Sequence, residues 1–494
     1  MRVLLVNPVA KSYKQFYSGG AYSTFPAGIL SIAAVLEQAG HDVEVLDCCI
    51  DERDPKDFVD FNPDIVGFSA ITGPNLEGGI DQSKEVREYM PNAKIIWGNV
   101  HPSVLPEQTL AEPYIDYLAI GAGEYTLLEL LQHLETGSPK IEDVKGLAYK
   151  KDGGAIINEP RPFIKDLESL PDPAWHFVDV TKYSIIGLNT SRGCPNRCTF
   201  CYNKSYNKGY TGWISAERII SQIEHMRKTY GTKYIRFQED NFTFNRKRLR
   251  EFCQLLIDRK IKIKWSCDSR ADLKDSDIAL MAKSGCVAVG LGLETGSQRM
   301  LDYVKKDIQV KQMEETFWSF VKNGIRTSVY ILYGFPTETV DDLNQTHEML
   351  GRLDDPYYMY NRFFPFPGNE LYYYCMEKGL IDAPNELSEW SGFILWYNHK
   401  GNLSEIPQEM LDETAARWMK TYSMQRVRFT IKHDPKYFLT IFTNPLKFLR
   451  ELKDLIRYQV QTTKFHRIAL KLYPDLASNP KNTSTPTTPG GVKS

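Results

Sequence analysis

The 494-residue chain carries 60 Lys and Arg against 62 Asp and Glu, a formal net charge of -2, with 42% hydrophobic and 25% charged residues. That balance excludes a whole-molecule field able to hold nucleic acid or a bilayer, and no run approaches the roughly 18 apolar residues of a membrane span. At roughly 150 residues per domain the length predicts about three domains.

Met1 to Val6 runs straight into Asn7-Pro8 and reads as a first strand, not a signal peptide. Strands follow at Asp42 to Leu46, Ile65 to Ser69, Lys94 to Trp97 and Tyr117 to Ile120, separated by segments of helical periodicity at Gly28 to Gln38, Ile80 to Tyr89 and Thr126 to Leu134. Such alternation implies an α/β, doubly wound parallel sheet over residues 1–140, with ligands beyond the carboxyl ends of its strands. Those ends carry Pro8, the Ser69 to Asn75 segment with Thr72, the Gly98 to Pro102 segment with His101, and Gly121 to Glu124.

A proline-rich linker is expected over 141–184. From 185 to 385, strands at Ile185 to Asn189, Tyr234 to Gln238, Ile263 to Cys267, Val287 to Leu293, Thr327 to Tyr333 and near Tyr358 to Phe366 alternate with helices. Six such units predict an incomplete (β/α)6 barrel with its site at the strands' carboxyl ends. Residues 386–478 read as a helical region, locally basic around Lys432, Arg450, Lys464 and Arg467, and 479–494 as a disordered Ser/Thr/Pro/Gly tail.

Nine cysteines, an odd number without an export signal, exclude a full disulfide framework and make clustered thiols metal candidates. The cluster is Cys194-Pro195-Asn196-Arg197-Cys198-Thr199-Phe200-Cys201, a CxxxCxxC directly after the first barrel strand. Three thiolates in one loop suit the soft irons of a 4Fe-4S cluster, leaving one iron open to an exogenous chelator. The plain alternative is structural zinc with a fourth ligand elsewhere, although zinc loops usually come as paired CxxC knuckles and no second pair exists. Cys48, Cys49, Cys253, Cys267, Cys286 and Cys375 read as core or surface thiols.

With Phe200 in the aromatic position, this loop resembles that of the radical SAM superfamily, and the first domain resembles that of the branch carrying an N-terminal cobalamin-binding domain. Phe237 to Phe242, Trp265 to Arg270, Gly290 to Ser297, Gly334 to Thr339 and Pro365 to Tyr372 match further segments of that branch. The resemblance implies that Cys194, Cys198 and Cys201 ligate a 4Fe-4S cluster, that Glu239 and Asp240 receive the ammonium of S-adenosylmethionine, that Arg270 meets its carboxylate, and that Glu294 binds its ribose. It implies cleavage of S-adenosylmethionine to a 5′-deoxyadenosyl radical. Charge agrees residue by residue: carboxylates suit a cation, and a guanidinium suits a carboxylate.

The same resemblance makes Pro8, Thr72, His101, Gly121 and Glu124 the candidate corrinoid contacts. The DxHxxG element that supplies an axial histidine in mutase-type cobalamin proteins is absent. His101 is therefore either near the corrin face or tail, or a loop histidine bonded to backbone. The implied reaction is cobalamin-dependent methylation of an unactivated carbon. A radical oxidative cyclase or rearrangement enzyme of the same branch, with or without bound cobalamin, is the alternative, and a corrinoid or iron-sulfur binding or sensing protein the non-catalytic one. Implied partners are a small-molecule, lipid or tetrapyrrole substrate and an external electron donor such as flavodoxin or ferredoxin, in the cytoplasm. The basic C-terminal helices read as a cap over the barrel or a peripheral membrane contact; nucleic acid is not expected, since the patch lacks a recognised fold.

Overall fold

The computed structural model describes residues 1–11, 25–183, 185–353, 358–392 and 402–414. Strand β1 (Arg2–Asn7) buries Val3 and Leu5 in one apolar cluster and Leu4 and Val6 in another. Burial on both faces is what a central parallel strand requires. It lies between β2 (Asp42–Asp47) and β3 (Ile65–Ser69), with β4 (Lys94–Gly98) and β5 (Tyr117–Ala119) beyond, all parallel. The order 2-1-3-4-5 is flavodoxin-like, with a topological switch between β1 and β3.

The sheet then departs from expectation. β6 (Leu147–Lys151) and β7 (Gly154–Ile157) add to it antiparallel, inside the segment read as linker. Their alternation was hidden because β6 ends on exposed Lys150 and Lys151 and every residue of β7 is exposed, as suits a short protected edge. The rest of that segment is also packed: Leu167, Leu170, Ala174, Trp175, Val180 and Tyr183 are buried in the cluster that contains Val3 and Leu5.

The second sheet has the order β15-β14-β13-β12-β11-β8. Its strands are β8 (Ile186–Leu188), β11 (Tyr234–Phe237), β12 (Lys264–Arg270), β13 (Cys286–Glu294), β14 (Arg326–Tyr333) and β15 (Tyr358–Arg362). All neighbours are parallel, the half-barrel that the alternation predicts. Along β14, Thr327, Val329, Ile331 and Tyr333 are buried, whereas Ser328, Tyr330 and Leu332 are half-buried, so one face packs and the other opens inward. A two-stranded antiparallel ribbon, β9 (Ser191–Arg192) with β10 (Gly212–Trp213), flanks the cysteine loop. The helices have ordinary stops. Ser215 accepts from the Arg218 N–H to open the helix Ala216–Tyr230, and Gly231 closes it at a φ of +67°.

No helix among the described residues is long and apolar enough to cross a membrane. Of the region 386–478 only 386–392 and 402–414 are described, with Leu387, Trp390, Leu403, Ile406 and Leu411 buried. The basic helices around Lys432 to Arg467 and the tail 479–494 lie outside the described residues.

Candidate functional site

The cysteine loop is pinned by its main chain. Cys194 N–H donates to Asn203 Oδ1 at 3.0 Å, Thr199 N–H to the Val304 carbonyl at 3.0 Å, and Cys201 N–H to the Cys198 carbonyl at 3.2 Å. Asn369 Nδ2 reaches the Phe200 carbonyl at 3.0 Å, and the Phe200 ring packs 5.9 Å from that of Phe335. The thiols receive donors: Asn196 Nδ2 lies 3.1 Å from Cys194 Sγ, and Arg270 Nη1 3.6 Å from Cys198 Sγ.

Burial pushes the Cys201 thiol up to about 12 and raises that of Cys198, where Lys306 and Arg270 work against it. Cys194 adds to the rise at Cys198, and Cys198 and Cys194 add to that at Cys201, so thiolates here crowd one another and would need a cation. A bound iron would supply it, because a coordinated thiol is deprotonated outright. Three soft donors in one loop would suit an iron-sulfur cluster, with Cys194, Cys198 and Cys201 as the residues to hold it.

Beside this loop Arg270, Lys306 and Glu294 form a buried charged layer. Arg270 Nη2 donates to the Lys306 carbonyl, and its Nε lies 3.6 Å from Asp272 Oδ2. Lys306 Nζ donates to Glu294 Oε1 at 2.6 Å and stands 6.0 Å from the centre of the Phe200 ring. Glu294 has a φ of +69°, at a register shift between β13 and β14 that turns its side chain back toward the strand. Gly292 leaves room for it: a Cβ there would stand 2.7 Å from Glu294 Oε1.

The two acidic residues expected to face an ammonium are engaged elsewhere. Glu239 Oε1 accepts from the Thr190 N–H at 2.9 Å and from the Thr190 hydroxyl. Its Oε2 is buried without a partner, and burial raises the carboxyl despite the nearby Arg248. Asp240 accepts from Tyr202 Oη at 2.8 Å and from Asn203 Nδ2. Both therefore brace the chain around the cysteine loop, leaving Glu239 Oε2 as the one free acceptor of the pair. Sequence reasoning missed Lys306, since Lys305-Lys306 reads as a solvated basic pair and no spacing links it to Glu294.

A cavity of about 680 Å³ opens at the carboxyl edge of the first sheet, within the usual range for a small-molecule or cofactor site. Gly67, Gly98 and Ala119 line its sheet side, and Arg192, Ser205 and Tyr206 close it from the cysteine loop. A Cβ at Gly28 or Gly121 would meet nothing within 4 Å, so the cavity wall comes down to bare main chain there. Of the expected corrinoid contacts, Gly121 and Glu124 line it, and Pro8, Thr72 and His101 do not.

His101 is fully buried, with Nδ1 2.8 Å from Thr72 Oγ1 and its ring 5.9 Å from that of Trp390. Burial lowers its pKa to about 3, so it is neutral, and it does not line the cavity. Thr72 is spent on that contact, and the Pro8 carbonyl accepts from Asn75 Nδ2 at 2.8 Å. Glu124, 3% exposed, is paired with Arg192, which holds its carboxyl below the ordinary range even though burial alone would raise it.

Residues 188–350 match the Radical SAM superfamily and residues 20–131 the B12 binding domain. The uncharacterized methyltransferase PH0819 of Pyrococcus horikoshii is 30% identical over 397 residues, 78% of this chain and 85% of its own. The anaerobic magnesium-protoporphyrin IX monomethyl ester cyclase of Rubrivivax gelatinosus is 27% identical over 75% of this chain and 69% of its own. In fold the chain is similar to TsrM, a radical S-adenosylmethionine methyltransferase from Kitasatospora setae solved with cobalamin and a 4Fe-4S cluster, at a TM-score of 0.66 and 18% identity over 78% of this chain and 76% of that one. A three-thiol loop on a parallel half-barrel, walled against a cofactor-sized cavity in a 2-1-3-4-5 sheet, thus has its counterpart in sequence: the chain belongs to the radical SAM superfamily, in the branch that carries a B12-binding domain, and is an enzyme of 4Fe-4S, S-adenosylmethionine and cobalamin chemistry.

Proposed function

We propose that the protein methylates an unactivated carbon of a small polar molecule. The observation that carries this is the shared wall: Arg192, Ser205 and Tyr206 belong to the chain around the cysteine loop and also line the cavity of the first sheet. A methyl donor seated in that cavity is thereby placed beside the site where S-adenosylmethionine is cleaved. Bound together, the cofactors supply one-electron cleavage of S-adenosylmethionine and a transferable methyl group; the protein supplies position and shielding.

In this reading Cys194, Cys198 and Cys201 hold the cluster, Phe200 packs beside it, and Arg270 and Lys306 present cationic groups to a methionine carboxylate. Glu294 takes the ribose hydroxyls, and Glu239 Oε2 is the acceptor left for the ammonium. Gly121 forms part of the corrinoid wall. The open face of the half-barrel supports a polar substrate: Arg236 Nη2 donates to Asp268 Oδ2 at 2.7 Å, Tyr330 Oη donates to Asp268 Oδ1 at 2.9 Å, and the Arg236 and Asp268 side chains stay 31% and 27% exposed. A lipid would strip the remaining water from this partly exposed ion pair without offering it a polar partner. Nine free cysteines and a reducible cluster suit the cytoplasm, with a flavodoxin or ferredoxin as electron donor.

The cyclase relative favours a second reading, radical ring closure. Anaerobic reconstitution with and without hydroxocobalamin, followed by S-adenosylmethionine and a reductant, separates the two. Retained corrinoid with both 5′-deoxyadenosine and S-adenosylhomocysteine as products supports methylation. Deoxyadenosine alone, with no corrinoid retained, sinks it in favour of the cyclase.

A further inference from the structure

Arg192 stands two residues before Cys194 and faces the cavity of the first sheet. Its Nη2 donates to Glu124 Oε1 and, at 3.1 Å, to Ser31 Oγ, which donates to the same carboxylate oxygen at 3.0 Å. Glu124 and Ser31 come from separate helices, Gly123–Thr136 and Ala27–Gln38, and both line the cavity. The other end of the cysteine loop is tied to the same edge, since Tyr206 Oη donates to the Gly121 carbonyl at 3.2 Å. The segment carrying all three cysteines is therefore strung between two anchors on the cavity rim. Ordering either wall orders the other.

We propose that Arg192 and Glu124, seconded by Tyr206 and Gly121, are positioning residues that couple the two cofactor sites. Filling the cavity fixes the cysteine loop in its ligating geometry, and ligation of the cluster tightens the cavity. The proposal rests on the corrinoid reading of that cavity. The pair serves such a purpose because Glu124 is 3% exposed and, separated from Arg192, would be left unmatched away from water, while the Arg192 side chain stays 28% exposed on the cavity wall. Linkage makes the effect reciprocal, so it is measurable from the corrinoid side alone.

The test titrates hydroxocobalamin anaerobically into the full chain, cluster-free and cluster-reconstituted, and follows corrinoid absorbance. The wild type binds about tenfold more tightly when the cluster is present. In Glu124→Gln and Arg192→Met that ratio falls to about one, with Arg192→Lys in between. Release of iron to a chelator, slowed by hydroxocobalamin in the wild type, becomes indifferent to it in the variants. Tyr206→Phe removes one hydroxyl from the second anchor and gives a partial loss of the ratio, which keeps the test open if the buried variants do not fold. An ion pair that merely holds the fold together would lower Tm and leave the ratio unchanged. Equal affinities in the two wild-type forms, or a full ratio in the variants, overturn the coupling while the corrinoid site stands. Absence of hydroxocobalamin binding to either form overturns both.

Discussion

Lys306 Nζ lies 2.6 Å from Glu294 Oε1, with both side chains buried beside the cysteine loop. Removing one partner strands the other charge out of water. Lys306→Met should cost about 3 kcal/mol of stability, and adding Glu294→Gln should recover at least half of it, read by chemical denaturation of the cluster-free protein. Loss of Lys306 should also raise the KM for S-adenosylmethionine more than it lowers kcat. A KM left at the wild-type value would remove Lys306 from that site.

Cys198 is the most buried of the three cluster cysteines, and Arg270 donates to its sulfur. Cys198→Ala should reduce reconstituted iron from about four atoms per chain to below about one and abolish 5′-deoxyadenosine formation. The corrinoid cavity does not include this side chain. Some hydroxocobalamin binding should therefore survive, at the affinity of the cluster-free form.

His101 offers a spectroscopic contrast. Enclosed by Thr72 and Trp390, it cannot serve as an axial ligand. His101→Phe should leave the absorption spectrum of bound hydroxocobalamin unchanged, while losing about 1 kcal/mol with the Thr72 contact. A spectral change on this substitution would place the imidazole at cobalt after all.

Gly28 lies in the helix Ala27–Gln38, where an added Cβ meets nothing within 4 Å. Filling that space should separate folding from binding. Gly28→Leu should keep or raise Tm, because glycine costs about 1 kcal/mol within a helix. Hydroxocobalamin affinity should fall at least about tenfold as the side chain enters the cavity.

Glu338 carries a pH signature. Its Oε2 accepts from the Gly334 and Phe335 N–H groups, its Oε1 is buried without a partner, and burial raises its pKa to about 7. The folded state thus binds a proton that the unfolded chain releases near 4.5. The neutral carboxyl is well accommodated below that value, and stability falls as pH climbs from there through about 7. Glu338→Gln should be more stable than the wild type at pH 8, by up to about 3 kcal/mol, and lose that advantage below pH 4.5. Parallel denaturation curves for the two proteins across this range would refute the assignment.

The features legible in the sequence were the local ones. The cysteine loop declares itself through spacing within eight residues, and β1 to β5 and the half-barrel strands through unbroken apolar runs. Arg270 and Glu294 were located because motifs mark strand ends. The direction in which a strand-end side chain turns is set by distant neighbours, which local spacing does not reveal. Glu239 faces Thr190, 49 residues away, and Glu124 meets Arg192 across 68. His101 disappears beneath Trp390, nearly three hundred residues on, and Lys306 meets Glu294 at a register shift in β13 that composition does not announce.

Finally, the apolar cluster that includes Val3 and Leu5 continues through Leu167, Trp175 and Tyr183 to Leu353 and Ile406. The corrinoid-binding part and the barrel are therefore not interchangeable cartridges. A chimera joined at residue 140 would cut β6 and β7 from their sheet and bare the aromatic and leucine side chains that bridge the halves. Any successful transplant must carry the segment from Leu147 to Tyr183 with its own first sheet.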